Sequence, residues 1–494
     1  KMEIVTLVLG FLVVLAIFLW FQRHDSRYPP CPVRPLPLFG HLLYMDKNPR
    51  PQFKKWRKKC GDIYSIYMGQ HLTVVVNGFD LVKETLVKHG DVTIDRPEVF
   101  FDAVRLAFSS GAVWKEQRLV TSSIMRTLGM VNKNILAERV TEGVAMTIDN
   151  LVSLKGNPTD LSDILILNLV NIICAITLGH KFNIDDEEFI NGCNMYRANI
   201  LKGGASNLAN YFKFWSYLPG DLFGAKVIEE GSRYFMTKFV VPFIRQKGYD
   251  EYDESNLDNF IARYVYEWKK KQASGEPTTL SDNNLKKLVY DLLGGGLETT
   301  STNLLWFILI LLHYPQLQDR IYNEIDREIG VERMPKVSDK DQLPFLNAFI
   351  LESQRSTSIV PLNLPRISRA NFTIGGYLIP KGAQIVPSLD SILFEKKIWG
   401  KDANVFKPER FLDENGQVKC PEQCVPFSMG RRACPGSHIA QMEMFLFLAS
   451  MVQRFKFLPD ESAPLPSLDP HKAAFGLTAI PHQYKVRVVD RKAE

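Results

Sequence analysis

Phe427-Ser428-Met429-Gly430-Arg431-Arg432-Ala433-Cys434-Pro435-Gly436 is the stretch that decides how this chain is read. Its cysteine stands directly before a run with helical spacing, from about Ser437 to Arg454. Helix N-termini favour negative charge, and their free backbone N–H groups can hydrogen-bond an anionic sulfur. Such a position lowers a thiol pKa and prepares a thiolate. Thiolate ligation is what pushes electron density through a heme iron and favours O–O cleavage. Gly430 and Gly436 would let the backbone approach a macrocycle, and Arg432 could pair with an acidic substituent of it. A lone cysteine at a helix start is ordinarily a small buried hydrophobe. The flanking residues set this one apart.

Working outward, the chain has 494 residues, 46% hydrophobic and 23% charged, which is enough apolar material for a large core. The net charge of +6 suits an anionic membrane or an acidic protein partner and is too weak to argue for nucleic acid. Seven cysteines, an odd number at low density, do not form a disulfide framework and imply a reducing compartment. Cys420 and Cys424 are four apart, with no further Cys/His spacing beside them, so zinc is disfavoured and they read as two free thiols in a loop.

Ile4 to Phe21 (IVTLVLGFLVVLAIFLWF) carries no charge and is long enough to span a bilayer as a helix. It runs straight into Gln22-Arg23-His24-Asp25, with no small-residue cleavage site. Arg23, Arg27 and Arg34 follow it, so the positive-inside rule places the remainder in the cytosol. Pro29, Pro30, Pro32, Pro35 and Pro37 then favour an extended, stiff spacer. The expected division is an anchor over 1–22, a proline-rich hinge over 23–50 and a catalytic domain over 51–494.

In that domain, Ile63 to Met68 and Leu72 to Val76 read as a hairpin turning at Gly69-Gln70. The pattern from about Phe79 to Arg355 is mostly helical, and Ile164 to Leu178 reads as a buried core helix. Short strands at Phe372–Ile374 and Tyr377–Ile379 flank Gly375-Gly376, and helix returns after Ser437. The predicted fold is mainly α with small β-sheets, in one large domain. One long helix begins at the Ser281-Asp282 cap and runs to His313, before Pro315. Gly294, Gly295 and Gly296 sit in its middle, each costing about 1 kcal/mol relative to alanine. Either a flat partner or a neighbouring helix must come close there.

The decapeptide around Cys434 resembles the heme-binding loop of the cytochrome P450 family, F-x-x-G-x-R-x-C-x-G, with every fixed position filled. Ser428 stands where a second glycine is usual, and Ser437-His438 where many relatives carry a glutamate. Glu352 and Arg355 resemble the family's E-x-x-R ion pair, and Arg410 its third partner. Gly295-Gly296-Leu297-Glu298-Thr299 resembles its oxygen-activation motif. Trp114 and Arg118 form a W-x-x-x-R pair that, with Arg366 and Arg432, is implied to contact the heme propionates. The wording is most similar to the microsomal drug- and steroid-metabolising branch in animals.

The resemblance implies heme b with Cys434 as the iron ligand, and Phe427, Gly430 and Gly436 in the loop that holds it. It implies Thr299 and Glu298 as the catalytic pair that handles protons. It implies a monooxygenase that inserts one oxygen atom from O2 into a lipophilic steroid, fatty acid or xenobiotic. Electrons would come from NADPH through cytochrome P450 reductase, with cytochrome b5 as a further donor. Lys115, Arg126 and Arg431 are candidates for docking the reductase. The expected location is the endoplasmic reticulum membrane, single-pass, with the catalytic domain cytosolic. Leu106, Ala107, Phe108, Gly295, Ile359, Val360, Leu364 and Leu477 occupy positions similar to substrate contacts, and none is charged. Two rival readings are a heme-thiolate isomerase or dehydratase that needs no reductase, and a heme-binding sensor without turnover.

Overall fold

The computed structural model describes residues 2–21, 24–97, 107–130, 135–202, 210–212, 219–221, 224–246 and 257–492. Helix α1 (Met2–Phe21) precedes α2 (Arg50–Cys60), strands β1 (Ile63–Met68) and β2 (His71–Val76), and α3 (Phe79–Lys83). A helical series follows: α4 (Gly111–Met130), α5 (Ile135–Ser153), α6 (Ser162–Thr177), α7 (Glu187–Lys202), α8 (Ala225–Phe235), α9 (Val241–Gln246) and α10 (Phe260–Ser274). Next come α11 (Asp282–His313), α12 (Pro315–Ile329) and α13 (Pro344–Thr357). Strands β3 (Arg366–Ile367), β4 (Phe372–Ile374), β5 (Tyr377–Ile379) and β6 (Gln384–Pro387) lead to short α14 (Asp390–Leu393) and α15 (Lys396–Trp399). Finally α16 (Ser437–Arg454) runs into β7 (Phe455–Pro459), β8 (Ala474–Phe475), β9 (Ala479–Ile480) and β10 (Val486–Asp490).

Local chemistry sets these boundaries where the sequence signals were strong. The Ser281 side chain accepts from the Asn284 amide at 3.2 Å and caps α11, which ends at Tyr314 before Pro315. The β1–β2 hairpin is antiparallel, with Gly69 at φ 62° in its turn. The main sheet has the order β1-β2-β6-β3, with β2 and β6 parallel. The pair β4–β5 turns at Gly375 and Gly376, both with positive φ.

At the centre lies α11, packed on α6, α13 and α16. It is buried without interruption from Thr300 to Leu312. It is long and apolar enough to cross a membrane, yet 83% of its apolar window is inside the fold. It is therefore a core helix. Helix α6 is likewise core: Asn168 donates to Asn150 Oδ1 at 3.0 Å, and Asn171 exchanges 2.7 Å bonds with the backbone of Phe182. Asn171 is thus satisfied inside protein, while Asn168 Oδ1 has no hydrogen-bond partner among the described residues.

Helix α1 is apolar and exposed at Ile4, Leu7, Phe11 and Val14. The proline-rich segment after it lies against the sheet. The Ser65 amide donates to the Pro30 carbonyl at 2.9 Å, and the His41 amide to Tyr67 O at 2.6 Å. A Cβ on Gly40 would sit 2.2 Å from that same Tyr67 oxygen, so only glycine lets the segment approach this closely.

Candidate active site

The cysteine loop closes on itself through backbone bonds. Ser428 N donates to Val425 O, Ala433 N to Gly430 O and Cys434 N to Phe427 O, each at 3.0 Å. Ser428 and Gly430 hold φ values of 64° and 75°. The Asn363 side chain, itself on a residue with φ 53°, donates to Ser428 Oγ at 2.7 Å and braces the strained serine. A Cβ on Gly430 would lie 2.4 Å from the Leu86 carbonyl. This glycine is demanded by protein backbone on the turn Glu84–Lys88, whereas Gly436, the N-cap of α16, faces open space. Cys434 is exposed. Burial pushes its thiol pKa up, and the Gly436 and Ser437 amides and the Arg118 guanidinium pull it down. The two amides belong to the start of α16, as thiolate stabilisation requires.

Four arginines gather around this loop. Arg118 on α4 donates to Ala433 O at 2.9 Å. Arg432 lies 4.0 Å over the Trp114 ring and donates to Ile94 O and Ser109 O at 2.9 and 2.6 Å. Arg366 on β3 is buried, and its Nε and Nη2 have no hydrogen-bond partner among the described residues. The fourth, Arg96, was not singled out from sequence. It is buried, with Nη1 donating to Leu364 O and Pro365 O and Nε unpartnered. Burial pulls its pKa down, and Arg366 and Arg432 add repulsion. Buried like charges with orphaned donors require an anion. A macrocycle with two carboxylates fits that requirement, and Cys434 fits its metal. Only a lone Arg-Pro pair marked Arg96 in the sequence, which is no signal by itself.

The three glycines of α11 divide the earlier alternatives between them. A Cβ on Gly294 would fall 1.6 Å from the Tyr196 hydroxyl, and one on Gly296 would fall 2.4 Å from Ile173 Cγ1. These two admit α7 and α6. Gly295 has nothing within 4 Å and faces open space. Thr299, one turn on, bonds back to Gly295 O at 2.8 Å. Glu298 points elsewhere, since adjacent helical residues do not share a face. Its carboxylate is buried 3.7 Å from Arg197 Nε, and its Oε2 has no hydrogen-bond partner among the described residues. Burial pushes its pKa up. A second acid, Glu443 on α16, was also missed. Thr300 donates to it at 3.0 Å, and burial pushes its pKa up to about 8. A carboxylate between Met442 and Met444, leading into the apolar run Phe445–Ala449, was the available signal.

Glu352 and Arg355 are fully buried and paired through two bonds of 2.6 and 2.8 Å. Arg410 approaches Glu352 at 3.5 Å. It also donates to Trp399 O at 2.6 Å and to Asp402 Oδ1 at 2.9 Å. The cluster therefore ties α13 to the segment after α15.

Of the pocket candidates, Leu106 lies outside the described residues. The Ala107 amide donates to Asp291 Oδ2 at 2.5 Å, which places a carboxylate on the α11 face that carries Gly295 and Thr299. Ile359 O accepts from Ala479 N at 2.8 Å, beside Leu477 and Thr478. Leu364 shares its carbonyl with Arg96, and Phe108, Val360 and Leu364 are half-buried. Lys115 and Arg126 are exposed on α4, while Arg431 is exposed and ion-paired with Asp91.

The Cytochrome P450 family profile matches residues 29–486. The chain is 35% identical over 478 residues to Cytochrome P450 2D3 of Rattus norvegicus, covering 94% of this chain and 93% of that one. It is 31% identical to Cytochrome P450 2E1 of Oryctolagus cuniculus, covering 98% of each. It is 32% identical to Cytochrome P450 2D6 of Homo sapiens, covering 97% of this chain and 98% of that one.

Proposed function

The chain belongs to the cytochrome P450 family of heme-thiolate monooxygenases, and from that premise we propose that it oxidises a lipophilic steroid, fatty acid or xenobiotic at the membrane of the endoplasmic reticulum. The observation that carries the reading is the pair of buried guanidiniums, Arg96 and Arg366, with unpartnered nitrogens among the described residues, close to Arg118 and Arg432 of the Cys434 loop region. Arg96, Arg118, Arg366 and Arg432 would hold the two propionates by charge-assisted bonds. Cys434 would hold the iron, with the Gly436 and Ser437 amides stabilising its negative charge.

When bound, heme supplies one-electron reduction and the activation of dioxygen. The chain's own residues do the rest. Gly295 keeps the α11 face open. The Thr299 hydroxyl can leave Gly295 O and present a donor and an acceptor to that face. Glu298, raised toward the neutral form by burial, would serve as a proton source. Its carboxyl must swing from Arg197, or act through a water, to reach Thr299. The half-buried apolar residues Phe108, Ile359, Val360, Leu364 and Leu477 would exclude water and bind an apolar body.

NADPH-derived electrons would arrive from cytochrome P450 reductase, with cytochrome b5 as a further donor. Lys115 and Arg126 offer exposed positive charge for docking. Helix α1 would span the bilayer and keep the enzyme beside its reductase. The test is the reduced carbon monoxide complex of the purified protein, which should show the red-shifted Soret band of thiolate ligation. Cys434→Ala should abolish that band and substrate-dependent NADPH consumption. A wild-type protein that lacks the band, or turnover that persists in Cys434→Ala, would overturn the proposal.

A further inference from the structure

The second residue of the heme-binding decapeptide is held in a conformation it does not favour. Ser428 has φ 64°, and its amide is committed to Val425 O at 3.0 Å. A residue with a Cβ is strained there, whereas glycine is not. The Cys434 amide bonds Phe427 O at 3.0 Å, so the strained serine lies inside the ring of backbone that presents the sulfur. A side chain from a remote segment meets it. Asn363 lies between α13 and β3 and has φ 53°, a value asparagine tolerates better than most residues. Its amide group is fully assigned. Oδ1 accepts from the Leu364 backbone at 2.8 Å, which leaves Nδ2 to donate to Ser428 Oγ at 2.7 Å. The segment that carries Asn363 is anchored at three points. Ile359 O accepts from Ala479 N at 2.8 Å, Pro361 O from Asp390 N at 3.0 Å, and Leu364 O from Arg96 Nη1 at 2.6 Å.

With Cys434 as the iron ligand of the function proposed above, we propose that Asn363 is a positioning residue for the thiolate, which fixes the cysteine loop through Ser428 and ties it to the pocket segment Ile359–Leu364. The role is indirect, since the amide acts on the serine and the serine on the loop. Without the bond, Ser428 is free to relax toward negative φ, and the Cys434–Phe427 backbone bond loosens with it. The need for Asn363 follows from the serine. A glycine at 428 would hold φ 64° without a brace, so the two side chains form one device and neither has a purpose alone. The anchored segment also carries Ile359, Val360 and Leu364, so the brace sets the sulfur in register with one wall of the pocket.

The test is hydrogen exchange of the full-length, heme-loaded protein, resolved to single amides across Val425–Cys434, beside the reduced carbon monoxide spectrum. Asn363→Ala should speed exchange of the Ser428 and Cys434 amides about fivefold, the net worth of one hydrogen bond. Exchange along the buried stretch of α11, Thr300 to Leu312, should not change. The same variant should lose the red-shifted Soret band several-fold faster on warming. Ser428→Ala keeps the Cβ and removes the acceptor, so it should match Asn363→Ala, and the two together should add nothing further. Asn363→Ala combined with Ser428→Gly should recover the wild-type exchange rate and band lifetime. Wild-type exchange in Asn363→Ala, an equal rise along α11, or no recovery with Ser428→Gly would overturn the proposal. A wild-type protein without the band would refute thiolate ligation instead, and the exchange rates would still decide whether Asn363 braces the loop.

Discussion

Thr300 donates its hydroxyl to Glu443 at 3.0 Å and so ties the central helix α11 to α16, which begins two residues after Pro435. Both residues are buried, and the second carboxylate oxygen of Glu443 has no hydrogen-bond partner among the described residues. A carboxyl in that setting is held neutral.

The pH dependence of stability follows with a definite sign. Glu443 titrates near 8 in the fold, against 4.5 for an unperturbed glutamate. Between those values the native state holds a proton that the unfolded chain has lost. Stability therefore falls as pH rises through that window, and below it this residue contributes nothing. Glu443→Gln should flatten the slope and gain about 3–4 kcal/mol at about pH 8 relative to about pH 5. Urea unfolding across that range measures it, and an unchanged slope would assign the dependence elsewhere.

The glycine triplet should respond position by position. Gly294→Ala and Gly296→Ala push a methyl into Tyr196 and Ile173. Each should cost about 1–3 kcal/mol by overpacking. Gly295→Ala meets nothing within 4 Å and should gain up to about 1 kcal/mol in helix propensity. It should also weaken ligand binding, because it narrows the open face. Melting temperatures and spin-state titrations of the three variants give the order, and a stable Gly294→Ala beside an unstable Gly295→Ala would refute the packing account.

Arg366 should trade apoprotein stability for cofactor retention. Its Nε and Nη2 are buried without partners among the described residues. Arg366→Met should stabilise the heme-free protein by about 1–3 kcal/mol, since it removes an uncompensated charge. The same variant should release heme several-fold faster, as transfer to apomyoglobin would record. Equal release rates would remove Arg366 from the propionate set.

Thr299→Ala should raise peroxide release per NADPH oxidised, and Thr299→Ser, which keeps the hydroxyl, should restore coupling. Glu298→Gln should slow turnover without the same leak, since its carboxyl faces Arg197 rather than Thr299. Unchanged peroxide yield in Thr299→Ala would end the proton-handling role.

Elements whose instructions are local were readable from residues alone. The hairpin of Ile63–Met68 and His71–Val76, the turn at Gly375-Gly376 and the helix Ser437–Arg454 each carry their own period and punctuation. The buried pair Glu352–Arg355 shows as a three-residue spacing on one helix. Arg96, Asp291 and Asn363 carry no such mark. Each matters through a partner remote in sequence: Arg96 with Leu364 O, Asp291 with Ala107 N, and Asn363 with Ser428.

By itself the sequence determined the family, the mainly helical class with small sheets and the apolar leader, because motif wording and spacing within single segments specify those. Only the tertiary structure decided that Gly294 and Gly296 serve helix packing while Gly295 keeps a face open, that Gly430 answers to Leu86, and that Glu298 turns toward Arg197. Burial and orphaned hydrogen bonds are properties of what surrounds a group, and a linear pattern does not contain them until distant segments meet.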